Sequence, residues 1–427
     1  MATDTTAAGE LARELAEDAA SRFLRYVRID TQSDEDSDTY PSTAKQLDLS
    51  RLLLEELREL GLRDAALDEH GYVTATIPAT VEHPVPTIAF FAHVDTARDV
   101  TGAGVQPQRI RYEGGDIVLP ADPSQVLTPA ESVELANHVG HDLITTDGTT
   151  LLGADDKAGV AEIMAAAAYL AAHPDVRHGP VKVAFNPDEE VGRGVIHFPV
   201  ESFGAVAAYT VDGSTAGELQ QETFSGAAVR MRIRGRSIHP GWAKGELVNA
   251  IKLAGEILAR LPKGRLSPET TDGREGYVHP TLVQGDPGHA EVRFIVRDFE
   301  NDSLEQHVQF LRDVAEEVEA SEPRAQIEIE ARIQYRNMRA TLARHPEIVE
   351  NLRDAIRRVG LEPRETAIRG GTDGSVLTEM GLPTPNIFTG GQQAHSEREW
   401  ICVEDMGLAA ATIVELAKIW AERARTV

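Results

Sequence analysis

Short apolar runs in this chain are followed directly, or after two residues, by histidine or acidic residues. Residues 87–92 lead into His93-Val94-Asp95, residues 181–185 lead into Asn186-Pro187-Asp188-Glu189-Glu190, and residues 206–211 lead into Asp212. Continuous apolar runs of this length suit strands that are buried on both faces, as in parallel sheets covered by helices. Open α/β sheets place their sites at the carboxyl ends of such strands. The pattern therefore predicts a mostly parallel α/β sheet with ionisable side chains at its strand ends.

The middle of the chain has a different pattern. From about residue 219 it reads strand, helix, strand, strand, helix, strand, and the last strand ends near residue 333. This order is typical of a ferredoxin-like unit. We therefore expect a main α/β domain over residues 1–218 and 337–427, interrupted by an inserted α+β domain over residues 219–336.

The charge balance and the cysteine count exclude several classes of partner and site. The chain has 42 Lys and Arg against 69 Asp and Glu, a formal net charge of −27, which argues against nucleic acid and anionic membranes as partners. The single cysteine, Cys402, excludes an intrachain disulfide and fits a reducing cytoplasm. A single cysteine also predicts that the chain has no thiolate zinc site, so that any metal would be held by His and carboxylate. No signal peptide or membrane span is predicted, and we expect a cytoplasmic protein.

Each ionisable motif has an ordinary interpretation beside a chemical one. The acidic run Asp188-Glu189-Glu190 is either a solvated turn or a site where one Glu binds metal and its neighbour stays free as a base. His93 and Asp95 form either a structural pair or a metal ligand with the carboxylate that orients its ring. Asp155 and Asp156 open a helix, where either one is a cap or a bridge between two cations. Spacing alone does not rank Asp155 and Asp156.

The motifs are more informative together than singly. Asp212 alone suits a strand-end cap and His395 alone suits a surface histidine. Combined with the earlier motifs they give five nitrogen or oxygen ligands at sheet ends, a set suited to two Zn²⁺ ions: His93, Asp155 (with Asp156 an equal alternative), Glu190, Asp212 and His395. Glu189 is then left beside the ligands to take a proton from water.

The ordered motifs resemble those of the di-zinc aminopeptidase, carboxypeptidase and aminoacylase superfamily, and most closely its tripeptide aminopeptidases, from about residue 10 to 425. The motifs that carry the resemblance are His93-Val94-Asp95-Thr96, Gly153-Ala154-Asp155-Asp156-Lys157-Ala158-Gly159, Asp188-Glu189-Glu190-Val191-Gly192, Val211-Asp212-Gly213, Arg369-Gly370-Gly371-Thr372-Asp373-Gly374, Asn386-Ile387-Phe388-Thr389-Gly390-Gly391 and His395. Residues 391–397 depart from the family pattern around the last ligand, which leaves the preferred substrate side chain open.

The resemblance implies a role for each matching residue. His93 and Asp212 would each hold one zinc, Asp155 rather than Asp156 would bridge the two, and Glu190 and His395 would complete the set. Asp95 would orient His93, and Glu189 would be the general base for a metal-bridging hydroxide. The cofactor would be two Zn²⁺ per subunit, with Co²⁺ or Mn²⁺ as substitutes.

The resemblance also implies a substrate and an assembly. The inserted domain would be a lid and a dimerisation domain, giving a homodimer that acts on small peptides. Substrate would be bound by His239, Asn249, Arg297 and Arg369, with His239 donating to the oxyanion; a turn residue and a surface salt bridge are the ordinary interpretations of His239 and Arg297. The expected activity is release of the N-terminal residue from tripeptides. The alternatives are an N-acyl amino acid deacylase, a carboxypeptidase, or a peptide-binding scaffold without catalysis.

Overall fold

The structure, a computed structural model, describes residues 5–424. Its helices are α1 (Thr5–Tyr26), α2 (Gln46–Glu59), α3 (Ala154–Ala172), α4 (Val200–Phe203), α5 (Ala250–Ala259), α6 (Asn301–Ser321), α7 (Arg339–Leu342), α8 (Pro346–Arg358), α9 (Asp373–Glu379) and α10 (Val403–Arg423). Its strands are β1 (Ala66–Leu67), β2 (Val73–Ile77), β3 (Ile88–His93), β4 (Gln108–Arg111), β5 (Ile117–Val118), β6 (Val126–Leu127), β7 (Asp142–Thr145), β8 (Val181–Asn186), β9 (Ala207–Gly213), β10 (Glu218–Thr223), β11 (Ser225–Arg234), β12 (Tyr277–Gly285), β13 (His289–Asp298), β14 (Gln326–Tyr335), β15 (Arg364–Ile368), β16 (Asn386–Phe388), β17 (Gly391–Gln392) and β18 (Trp400–Cys402).

The described chain divides into two compact units. The first is built from the chain up to Gln221, from Ala340–Thr366 and from Thr372 onward, and the second from Glu222–Arg339 and Ala367–Gly371. In the first unit, α1 packs so closely on α10 that a side chain at Gly407 would collide with the backbone oxygen of Ala12. Helices from the first and the last parts of the described chain therefore meet in one unit.

The large sheet has the strand order β1-β2-β8-β3-β9-β16-β10-β15. The central strands β8, β3, β9 and β16 run parallel to one another, whereas β1 pairs antiparallel with β2, β2 with β8, and β10 with β16. Every residue of β3 is buried, as its continuous apolar sequence predicted. The predicted α/β class is confirmed, and the parallel arrangement belongs to the centre of the sheet.

Parallel register brings the polar strand ends to one edge. His93 at the end of β3 lies opposite Asn186 at the end of β8, and Phe91 lies opposite Thr210 of β9. Asp212 follows two residues after Thr210, and the acidic run begins two residues after Asn186. The parallel strands therefore place His93, Asp212 and the acidic run at the same edge of the sheet.

A second, smaller sheet in the first unit was not predicted. Its order is β17-β18-β7-β4, and it pairs Trp400 with Thr145 and Ile401 with Gly391. It draws together the long segment over residues 98–150 and the chain after β16. His395 lies in the loop that connects β17 to β18.

The second unit has the ferredoxin-like arrangement that the sequence predicted. Its four strands are antiparallel in the order β12-β13-β11-β14. Apolar side chains on one face of the sheet, such as Met231 and Phe294, form a core with Leu253 of α5 and Leu311 of α6. Among residues 5–424, no helix combines the length and the apolar character that crossing a bilayer requires.

The carboxyl group of Glu162 on α3 is fully buried, and neither oxygen has a hydrogen-bond partner among the described residues. Burial raises the pKa of Glu162 well above its ordinary value, and the charge of Asp405 adds to this effect. The folded state therefore keeps a proton that the unfolded chain has lost, so this group makes stability fall as pH rises above about 4.5, the ordinary pKa of Glu.

We expect Glu162→Met to raise the unfolding free energy by ~1–3 kcal/mol near neutral pH, because it removes an unpaired buried polar group. The gain should be larger at about pH 8 than at about pH 5, since only the wild type loses stability over that interval. Thermal unfolding at both pH values measures this effect, with Glu55→Met, at an exposed position of α2, as the matched control. An equal gain at both pH values would contradict the raised pKa of the buried Glu162 carboxyl group as the cause.

Candidate functional site

Two groups of three side chains have ligand atoms close enough to hold metal ions, and the groups share Asp155. One group is His93, Asp155 and Asp212, and the other is Asp155, Glu190 and His395. Within each group the ligand atoms lie within 4.8 Å of one another. All five residues lie in the first compact unit. The structure therefore brings the five predicted ligands together, with His93 and Asp212 in the same group.

The two carboxylate oxygens of Asp155 face different groups. Its Oδ1 lies 3.1 Å from Nε2 of His93, and its Oδ2 lies 3.4 Å from Nε2 of His395. Nε2 of His93 is also 3.7 Å from Oδ1 of Asp212, and Nε2 of His395 is 3.0 Å from Oε1 of Glu190. This divided geometry is what a carboxylate between two cations requires.

Asp156, the alternative that spacing left open, is turned toward the backbone. It is fully buried and accepts hydrogen bonds from the N–H groups of His93 at 3.2 Å and Gly159 at 3.3 Å. Burial raises its pKa well above the ordinary range, with the charge of Asp212 adding to the effect. The geometry favours Asp155 as the shared ligand.

Asp95 connects the His93 ring to the turn after β8. Nδ1 of His93, on the opposite side of the ring from the ligand nitrogen, lies 3.1 Å from the backbone carbonyl oxygen of Asp95 and 3.3 Å from its carboxylate Oδ1. The same carboxylate accepts hydrogen bonds from the N–H groups of Glu189 at 3.0 Å and Glu190 at 3.2 Å. A carboxylate in this position fixes the orientation of a ligand histidine. Here it also fixes the two glutamates relative to that histidine.

The acids of the run Asp188-Glu189-Glu190 point to different surroundings. Asp188 is buried and accepts hydrogen bonds from the N–H and hydroxyl groups of Ser42 and from Gln46, so it anchors the turn. Glu190 faces His395. Burial raises the pKa of Glu189 well above its ordinary value, against the opposing effect of His93. A carboxylate with a raised pKa beside a metal-type cluster is suited to accept a proton.

The pKa values of Glu190, Asp212 and His395 in the cluster are all raised. Burial raises the pKa of Glu190 to about 7 and that of Asp212 to about 6. Hydrogen bonds to Asp155 and Glu190 raise the pKa of His395 to about 11. Near neutral pH the cluster therefore holds protons on the His395 ring and in part on Glu190, and a divalent cation displaces such protons on binding. Imidazole and carboxylate donors fit Zn²⁺ well.

Glu399 is a buried residue of the site that the sequence analysis missed. Its carboxylate accepts hydrogen bonds from the N–H groups of Leu152 and Gly153, both at 2.7 Å, and of Asp155 at 3.1 Å. Burial raises its pKa to about 7. Glu399 thus holds the turn that presents Asp155. The available signal was an acid directly before the apolar run Trp400-Ile401-Cys402.

Asp373 was also missed, although its motif was recognised. It is buried, accepts a hydrogen bond from Asn186 at 2.6 Å, and lies so close to Gly194 that a side chain there would collide with it. Burial raises its pKa to about 7. Its negative charge contributes to the raised pKa of Glu189. Asp373 therefore belongs to the acidic surroundings of the proposed base.

His239 and Asn249 lie in the second unit and have local partners there. Nδ1 of His239 accepts a hydrogen bond from Gly241 at 3.1 Å, and its ring lies 4.6 Å from that of Trp242. The Asn249 side chain caps α5 by accepting hydrogen bonds from the N–H groups of Ile251 and Lys252. Their roles in substrate binding stay predictions.

Arg297 and Arg369 also make contacts within the second unit. Arg297 donates to the carbonyl oxygen of Val296 at 3.0 Å and to Gln334 at 3.2 Å. Arg369 donates to the carbonyl oxygen of Gly273 at 2.7 Å and lies over the ring of Phe224 at 5.2 Å. Their roles as substrate ligands likewise stay predictions.

Comparisons with known proteins match this chain over nearly its whole length. The model of "Peptidase family M20/M25/M40" matches residues 144–419. Peptidase T of Geobacillus thermodenitrificans is 48% identical over 410 residues, covering 96% of this chain and 100% of that protein. Crystal structures of aminopeptidase PepT from Bacillus cereus and of a tripeptidase from Staphylococcus aureus share the fold, with TM-scores of 0.73 and 0.74, at 24% and 21% identity; each covers 95% of this chain and 99% of the other. The chain belongs to peptidase family M20/M25/M40 and is a hydrolase acting on peptide bonds.

Proposed function

We propose that this chain is a metal-dependent aminopeptidase that releases the N-terminal residue from tripeptides. The observation that carries the proposal is the position of Asp155, whose two oxygens face separate ligand groups. The names of the similar proteins, Peptidase T, aminopeptidase PepT and a tripeptidase, support the choice of substrate.

The proposed metal sites use the two observed groups. Oδ1 of Asp155 would act with His93 and Asp212, and Oδ2 with Glu190 and His395. The imidazole and carboxylate donors of this set fit Zn²⁺, with Co²⁺ or Mn²⁺ as substitutes. When bound, two divalent cations polarise the substrate carbonyl and lower the pKa of the attacking water.

The protein's own residues would move the proton. Glu189 takes it from the attacking water and gives it to the leaving amine, so one carboxyl serves as base and then as acid. Asp95 holds Glu189 in place through the backbone N–H of that residue. Burial raises the pKa of Glu189 and the charge of Asp373 adds to this effect, which favours uptake of the proton.

The second unit would complete the site in the reaction. We propose it as the lid and as the surface of a homodimer, with His239 donating to the oxyanion and Arg297 binding the peptide carboxylate. Asn249 and Arg369 are proposed as further substrate-binding residues. We also propose that the enzyme works in the cytoplasm on small peptides.

A panel of peptides tests the proposed specificity. Free di-, tri- and tetrapeptides of one sequence series should be cleaved best at three residues, with kcat/KM as the readout and metal content measured for each preparation. The N-acetylated tripeptide should be cleaved about 10³-fold more slowly or worse, because a site built to bind an amine leaves polar groups unpaired when that amine is blocked.

The same panel distinguishes the alternatives. Preferred hydrolysis of an N-acyl amino acid would replace the aminopeptidase proposal with a deacylase. Release of the residue at the other end of the tripeptide would indicate a carboxypeptidase. Tight peptide binding by the metal-loaded protein without cleavage would favour the scaffold.

A further inference from the structure

A separate cluster of metal-ligand side chains lies elsewhere in the first unit. Ligand atoms of His138, His141 and Cys402 lie within 4.8 Å of one another. None of these residues belongs to the two groups around Asp155. Cys402 is the only cysteine of the chain.

The small sheet brings this cluster together. His138 ends the 3-10 helix Val133–His138, and His141 directly precedes β7. Cys402 ends β18 and lies opposite Leu143 of β7. Pairing of β18 with β7 therefore places a thiol from the end of the chain beside two histidines more than 250 residues earlier in the sequence.

The polar atoms of the cluster are incompletely paired. Nδ1 of His141 is buried and has no hydrogen-bond partner among the described residues. The Cys402 thiol is fully buried and donates a hydrogen bond to Glu404 at 3.4 Å, so His141 supplies the unpaired atom of the cluster. Leaving a buried ring nitrogen unpaired is costly, and a metal ion would satisfy that nitrogen.

His138 is held from both sides. Its Nδ1 lies 2.8 Å from the carbonyl oxygen of Glu134, and its Nε2 lies 2.8 Å from Oδ2 of Asp405. If either nitrogen binds a metal ion in place of its proton, the other keeps an oxygen partner. In metal sites, an oxygen that accepts a hydrogen bond from the other ring nitrogen orients the ligand histidine.

We propose that His138, His141 and Cys402 bind one further transition-metal ion, Zn²⁺ by preference, separate from the pair at Asp155. Two imidazoles and a thiolate suit Zn²⁺ and exclude hard cations such as Mg²⁺ and Ca²⁺. On binding, the Cys402 thiol gives its proton to solvent and its sulfur bonds to the metal, with no change of oxidation state. The mixed ligand set departs from our expectation that a single cysteine excludes a thiolate zinc site. The ion would link the 3-10 helix Val133–His138 to β18, the strand that follows the loop containing His395.

Cobalt provides a specific test because the proposed catalytic pair contains no sulfur. The full-length protein is stripped of metal with a chelator and titrated with Co²⁺. A near-ultraviolet sulfur-to-cobalt charge-transfer band should develop in the wild type and be lost in Cys402→Ala. His141→Gln should weaken the band, and added Zn²⁺ should abolish it.

Controls separate this ion from the catalytic site. Cys402→Ala should bind one metal equivalent fewer than the wild type while peptidase activity stays within about twofold, whereas Asp155→Asn should lose activity and keep the band. A stripped wild type that regains full activity with Co²⁺ but shows no charge-transfer band would overturn the proposal. Equal metal content in the wild type, Cys402→Ala and His141→Gln would overturn it as well.

Discussion

Glu189→Gln should keep both metal ions and lose kcat by about 10²–10⁴-fold, the range that a general base supplies. The amide has nearly the same shape as the carboxylate but cannot take a proton from water. The backbone N–H of residue 189 would still donate to Asp95, so the turn should stay in place. Metal content per chain and kcat, measured on the same preparation, give the two readouts.

Glu201→Gln is the matched control, because Glu201 is exposed on α4. It should have wild-type kcat and wild-type metal content. Near-normal turnover in Glu189→Gln would remove Glu189 as the base. Loss of metal together with activity would instead assign Glu189 to ligation.

Asp155→Asn should reduce the occupancy of both metal positions, because the two oxygens of Asp155 face different groups. The amide has one oxygen and no charge, so it cannot serve as a shared anionic ligand. We expect a loss of kcat at least as large as that of Glu189→Gln. Asp212→Asn should affect one position, since Asp212 belongs to one group. Metal content after gel filtration measures these differences.

Asp156→Asn is the informative control for Asp155→Asn. Burial raises the pKa of Asp156 well above its usual range, so an amide resembles the protonated carboxyl group already present. The N–H of His93 donates to Oδ2 of Asp156 and that of Gly159 to Oδ1, so the amide oxygen can keep one of these two hydrogen bonds. The variant should therefore keep its metal content. If Asp156→Asn lost both ions and Asp155→Asn kept them, the bridging assignment would be wrong.

The centre of the fold could be predicted because its signals are local. The apolar run that became β3 is buried at every position, and its end places His93 at the sheet edge. The alternating pattern of β11 and its neighbours likewise identified the second unit, since each of its strands is long. Side chains adjoining such elements, as Glu190 and Asp212 do, could be proposed as ligands for the same reason.

The remainder depended on contacts between distant parts of the chain. β17 and β18 are 2 and 3 residues long, too short for a periodic pattern, and they are defined by pairing with each other and with β7. Glu399 contacts the backbone of Leu152, 247 residues away. Burial of an acid at such a contact follows from the assembled structure, and no spacing rule indicates it. The cluster of His138, His141 and Cys402 escaped prediction for the same reason.

The packing of α1 on α10 in one unit has a consequence for translation. The segment Glu222–Arg339 is nearly self-contained and can fold soon after it leaves the ribosome. The large sheet must wait for β16, which fits between β9 and β10, and α1 must wait for α10. His395 follows Asp212 by 183 residues, so a nascent chain carries His93, Asp155 and Asp212 well before it carries His395. Under the proposed mechanism, a nascent chain that has not reached His395 is therefore not yet a peptidase.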